Sequence, residues 1–144
     1  MNIRTSIAAV GAAVVLGGAA ALALPAAASA HPVTHTLKFT AVSVNRVLFS
    51  NTNFGDQETD VNNTGKTIGF DDLNVTFTGP SGKGNVALSI KGGFLYGTIS
   101  TTNTGKTFSG KVTGGTGAYR RATGTITAKA ISSTKAAVTI SYAT

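Results

Sequence analysis

Gly114-Gly115-Thr116-Gly117-Ala118-Tyr119-Arg120-Arg121-Ala122-Thr123-Gly124 is the stretch on which the fold turns. It holds four glycines, one aromatic ring and two adjacent arginines, and an alternating run follows it. Glycine tolerates positive φ and close backbone approach. The segment therefore reads as a tight turn or bulge that delivers Tyr119, Arg120 and Arg121 onto a sheet.

On both sides of it, period-two segments rich in Val, Ile, Thr and Phe recur, separated by Gly, Asn and Pro clusters. Strands are predicted over 37–50, 57–61, 67–77, 85–91, 94–100, 107–113, 119–131 and 136–142. Eight strands are enough to close a barrel whose interior is just filled or holds one small ligand. Asn63-Thr64-Gly65-Lys66-Thr67 recurs as Asn103-Thr104-Gly105-Lys106-Thr107, each leading into a strand. Asn before Gly suits a short hairpin with the glycine left-handed. Gly-Lys-Thr is not a nucleotide-binding loop here, because positions 60 and 100, where its first glycine would stand, are Asp and Ser. Residues 79–84 are predicted to form a turn.

Residues 1–30 carry Arg4, an apolar run over 7–24, Pro25 and a small-residue end at Ala28-Ser29-Ala30. This is the pattern of a cleaved secretory signal peptide, which implies a secreted, extracellular product with no lasting membrane insertion. Residues 31–144 are then one domain. It has no cysteine, so closure and packing must supply its stability.

The chain has twelve Lys or Arg against five acids, a net charge of +7. The acids all lie between positions 56 and 72, while the lysines are scattered singly. Such spacing suits solubility at turns and polar faces. No basic patch interleaved with aromatics marks a nucleic-acid surface, and none is expected.

Arg46 shares a strand face with Val42, Val44 and Leu48, while Leu37, Phe39, Ala41, Val47 and Phe49 share the other. Either face can point inward; an inward Arg46 needs a carboxylate or bound anion. In 67–77 the apolar parity changes between Phe70 and Leu73, which predicts a bulge at Asp71 and Asp72. Asp72 is a candidate proton acceptor, and this acidic pair a partner for Arg46 or Arg120. Phe94 and Tyr96 share a strand face, and Tyr96 is a candidate catalytic phenol, with Arg120 the third candidate catalytic residue beside Asp72. Tyr119, Phe94 and Arg46 are candidate ligand contacts. His31 would be the new amino terminus, and with His35 could brace copper, but Pro32 removes an amide ligand. No metal or cofactor is assigned.

Residues 114–124 resemble the glycine-rich signature of the dirigent and allene oxide cyclase barrel families, commonly Gly-Gly-Thr-Gly-x-Phe-Arg-x-Ala-Arg-Gly. Tyr119 stands for the Phe, Arg120 matches the first Arg, and Ala122 and Gly124 match. Phe39-Thr40-Ala41-Val42-Ser43-Val44, Gly55-Asp56-Gln57 and Gly65-Lys66-Thr67-Ile68-Gly69 follow the order of bacterial members. The resemblance implies an all-β, eight-stranded antiparallel barrel with an apolar cavity, and dimers or trimers. It further implies that the cavity binds an unsaturated or phenolic small molecule and templates its cyclisation or coupling, an isomerase-like activity resting on proximity. Thr123 replaces the second Arg of the signature, so dirigent-type activation through that arginine does not carry over. The alternative is non-catalytic, either an extracellular carrier using the same cavity or a surface module, the latter favoured by a filled interior.

Overall fold

The computed structural model describes residues 32–102 and 105–144. The signal-peptide reading of 1–30 and the His31 site lie outside these residues. Eight antiparallel strands follow in order: β1 (Thr34–Ser50), β2 (Asn53–Val61), β3 (Thr67–Thr78), β4 (Ser81–Ile90), β5 (Gly93–Thr102), β6 (Thr107–Gly115), β7 (Thr123–Ala130) and β8 (Lys135–Ala143). Each pairs with its sequence neighbours and β1 pairs with β8, closing the barrel. Closure gives every strand two partners, so no edge is left to pair with another chain. Among the described residues no helix is long and apolar enough to cross a membrane.

The period-two pattern is realised as an inward face of Phe39, Val75, Leu88, Leu95, Ile126 and Ile140, all buried. Gly65 and Gly105 take φ of 80° and 62°, the left-handed turns that the repeated pentapeptide predicts. The turn predicted over 79–84 is tighter than that. Only Gly79 and Pro80 leave the ladder, and Ser81 already pairs with Thr102.

Three other expectations change. The ambiguity of β1 is resolved by a register shift between Ser43 and Asn45. Phe39 and Ala41 face inward before the shift, and Arg46 faces inward after it, so each parity is the inner one over part of the strand. The bulge predicted at Asp71 and Asp72 is absent, since β3 pairs with β4 without interruption from Gly69 to Thr78. Gly69, Asp71, Leu73, Val75 and Phe77 alternate inward throughout, and Phe70 is exposed. The apolar parity misled because an acid occupies an inner position and a phenylalanine an outer one.

The third change concerns 119–121, predicted to begin a strand. Gly117–Tyr119 is a 3-10 turn, Arg121 has φ of 66°, and β7 starts only at Thr123. Gly117 has φ of 57°, and a Cβ there would run into the carbonyl oxygen of Gly92. Ala118 N–H donates to that same oxygen at 2.9 Å. Tyr119 turns into the barrel end, where its hydroxyl donates to the Lys91 carbonyl at 2.8 Å and its ring meets Tyr142 edge-on. The glycine run is therefore a plug that shuts one end of the barrel.

Candidate functional site

With that end shut, the interior opens at the other. A cavity of about 550 Å³ runs down the barrel, walled by Phe39, Phe54, Leu88, Ile99, Phe108 and Ile126. Its mouth lies between the β5–β6 turn at Gly105 and Lys106 and the β7–β8 turn at 131–134. The size is that of a small-molecule site, and the wall is mostly apolar.

The polar exceptions come from two strands. Asp56, Glu58 and Asp60 sit at alternate positions of β2, and Asp71 lies directly across from Glu58 on β3. A period of two puts all three β2 acids on one face, and that face points inward. Asp56 and Asp60 are 2 % and 0 % exposed, and Asp71 is 6 %. One wall of an apolar barrel thus carries four of the protein's five acids.

Near the mouth, Arg46 neutralises one of them. Its Nε donates to Asp56 Oδ2 at 2.8 Å, and its Nη2 donates to the same oxygen. Ser43 Oγ donates to Asp56 Oδ1 at 2.5 Å. The guanidinium also lies over the Phe54 ring, 5.5 Å from its centre, a cation–π contact that helps fix the charge at the rim. Arg46 therefore lines the cavity, but it pairs with Asp56, not with the Asp71–Asp72 pair as the sequence suggested.

Deeper in, no cation among the described residues pairs with the remaining acids. Burial pushes Glu58 up to about 8, helped by the adjacent Asp71 charge. Burial likewise pushes Asp71 up to about 8, with Asp60 as the next cause, and Asp60 up to about 7. As carboxylates, Asp60 Oδ1 and Oδ2 and Asp71 Oδ1 find no donor. Like charges facing each other across a ladder repel, and unpaired buried charge is costly. Protons shared among Glu58, Asp71 and Asp60 relieve both penalties. At neutral pH the wall therefore presents carboxyl groups that can donate a hydrogen bond or a proton into an apolar space.

The other sequence candidates do not meet there. Asp72 alternates with Asp71 and so points outward, opposite Gln57. Phe94 and Tyr96 are on the outer face of β5, stacked on each other at 6.2 Å and 43 % and 40 % exposed. Arg120 is exposed in the plug, and Tyr119 is buried in it, away from the cavity wall. Of the six, only Arg46 reaches the cavity. Sequence reasoning missed Asp56, Glu58, Asp60 and Asp71 as a set. Their spacing by two within β2 was the available signal, masked by Gln57, Thr59 and Val61 alternating on the other face.

No family model matches the chain, and no curated protein matches it in sequence. Among solved structures it is similar to a pyocyanin demethylase, at 18 % identity and a TM-score of 0.61, over 75 % of this chain and 99 % of that one. It is also similar to the pterocarpan synthase dirigent protein, at 17 % identity and a TM-score of 0.66, over 78 % of this chain and 88 % of that one. Both are eight-stranded barrels, and the dirigent-type barrel fold implied by the glycine signature is the fold of this chain.

Proposed function

We propose that this is a secreted small-molecule barrel that holds a largely apolar, unsaturated or phenolic ligand and templates its cyclisation or coupling. The observation that carries the reading is the pairing of a cavity of about 550 Å³ with buried, proton-sharing carboxyls on its wall. The apolar surface holds the carbon skeleton in one conformation, so reacting atoms meet without the entropic cost of finding each other in water. Glu58 and Asp71 supply the chemistry that Asp72 and Tyr96, facing outward, do not. A protonated member of the pair donates to a ligand carbonyl, epoxide or quinone oxygen, and its carboxylate form accepts a phenolic proton. Arg46 at the mouth pairs with Asp56 and offers guanidinium hydrogens to a polar ligand end.

Both structural neighbours are named for action on small organic molecules, one on pyocyanin and one in pterocarpan synthesis, which supports this class of ligand. The experiment is to titrate the protein with substituted phenols and unsaturated epoxides, then compare product stereochemistry with and without protein, the phenols being coupled through radicals generated by an added one-electron oxidant and the epoxides closing without one. A shifted product ratio that Glu58→Gln and Asp71→Asn abolish, with binding retained, supports templating. Binding with an unchanged product ratio in the native protein refutes it and leaves a carrier. Amino-terminal sequencing of exported protein tests secretion, with cleavage expected after Ala30.

A further inference from the structure

Folding separates the charges in a way that composition alone conceals. Four of the five acids are turned into the barrel, and Arg46 is consumed by Asp56. Among the described residues the outer surface keeps one side-chain carboxylate, Asp72, against ten exposed Lys and Arg. The described outer surface therefore carries an excess of nine positive side chains, against a net charge of +7 for the whole chain.

On that surface two grooves, one spanning β1–β6 and the other β3–β6, adjoin at Asn74 and Asn85. In the first, the rings of Phe49 and Tyr96 flank a floor of side-chain amides and Asp72. The register explains the shape. Gln57, Asp72, Ala87 and Tyr96 stand in line across β2 to β5, and the small Ala87 leaves a trough before the Tyr96 ring. Phe49 packs over Gly55, where a side chain would meet its ring edge at 3.0 Å. The second groove carries hydroxyls from Thr76, Thr98, Ser100 and Ser109 between Lys83 and Lys111.

We propose that this outer face binds an acidic polysaccharide. Exposed rings stack on the C–H faces of sugars, side-chain amides and hydroxyls both donate and accept as sugar hydroxyls require, and the lysines meet uronate carboxylates. A nucleic acid fits less well. The groove cations are lysines and not the guanidinium forks suited to phosphate. Lys83 and Lys111 stand two strands and two residues apart, roughly 12 Å between backbones at sheet spacing. That is sparse against one phosphate per about 3.4 Å of strand. Tyr96, which the cavity does not use, finds a role here.

The test is calorimetric titration of the purified protein with alginate, with dextran as the neutral polymer, poly(dT) as the nucleic acid and phosphatidylglycerol vesicles as the anionic membrane. Alginate is expected to bind at least about tenfold more tightly than any of the others in physiological salt. Lys83→Gln/Lys111→Gln should weaken it by about fivefold or more, and Tyr96→Ala similarly, with melting temperatures unchanged. Lys38→Gln/Lys66→Gln, which removes equal charge away from the grooves, should change it by less than about twofold. Equal losses from both lysine pairs, no alginate binding, or tighter binding of dextran, poly(dT) or vesicles would overturn the proposal.

Discussion

Glu58 and Asp71 face each other inside the barrel and hold protons well above their ordinary values of 4.5 and 3.8. The sign of the resulting pH dependence follows from proton counting. Between about pH 4 and about 8 the folded state binds more protons than the unfolded chain, so stability falls as pH rises through that window. Thermal melting should therefore be higher at pH 5 than at pH 8.5. Asp71→Asn, which removes one ionisable member of the pair, should flatten the profile and raise stability at pH 8 by roughly 1–2 kcal/mol. A variant with the native slope would show that the pair is not the source. Arg46 makes the opposite case, because its partner Asp56 is ion-paired with it and buried. Arg46→Leu should cost about 2–3 kcal/mol in denaturant unfolding, and Arg46→Leu/Asp56→Leu should recover most of it. At this scale the sequence made Arg46 legible as an inward cation in need of a carboxylate. It did not identify the partner, because a register shift at Ser43 decides which residues of β1 and β2 meet on the inner face.

Among the elements, the turn through Gly117–Tyr119 carries the clearest structural burden. Gly117→Ala places a methyl against the Gly92 carbonyl and forces a left-handed alanine, so it should destabilise the protein by about 2 kcal/mol or more. Tyr119→Phe loses the hydrogen bond to Lys91 and should cost about 1 kcal/mol in the same denaturant assay. Arg120→Gln, in the same turn but exposed, should leave cavity binding unchanged; a loss of binding would contradict the role of this segment as a plug. Its glycines were readable as a corner because their conformational demands are local. Its failure to continue as a strand was not, since the docking of Ala118 and Tyr119 onto residues 91–92 is a long-range contact. β3 gives the complementary lesson. Alternation of Leu73, Val75 and Phe77 showed the strand, and the inward Asp71 with the outward Phe70 hid its inner face.

At the scale of the whole molecule, closure creates the cavity and also divides the charge. Ala128 lines the cavity beside Ile126, so Ala128→Phe should fill it. Affinity for the apolar fluorophore N-phenyl-1-naphthylamine should fall about tenfold or more, with alginate binding intact. Retained fluorophore binding would place the apolar site elsewhere. Strand number, turn positions and the all-β class were determined by the chain's own order of residues, because period-two hydrophobicity and turn chemistry act over a few residues each. The cavity, the proton-sharing acids and the cationic exterior were decided only by tertiary structure. Whether Asp71 or Asp72 faces the interior depends on strand register around a closed barrel, and register is set by contacts between residues far apart in the chain.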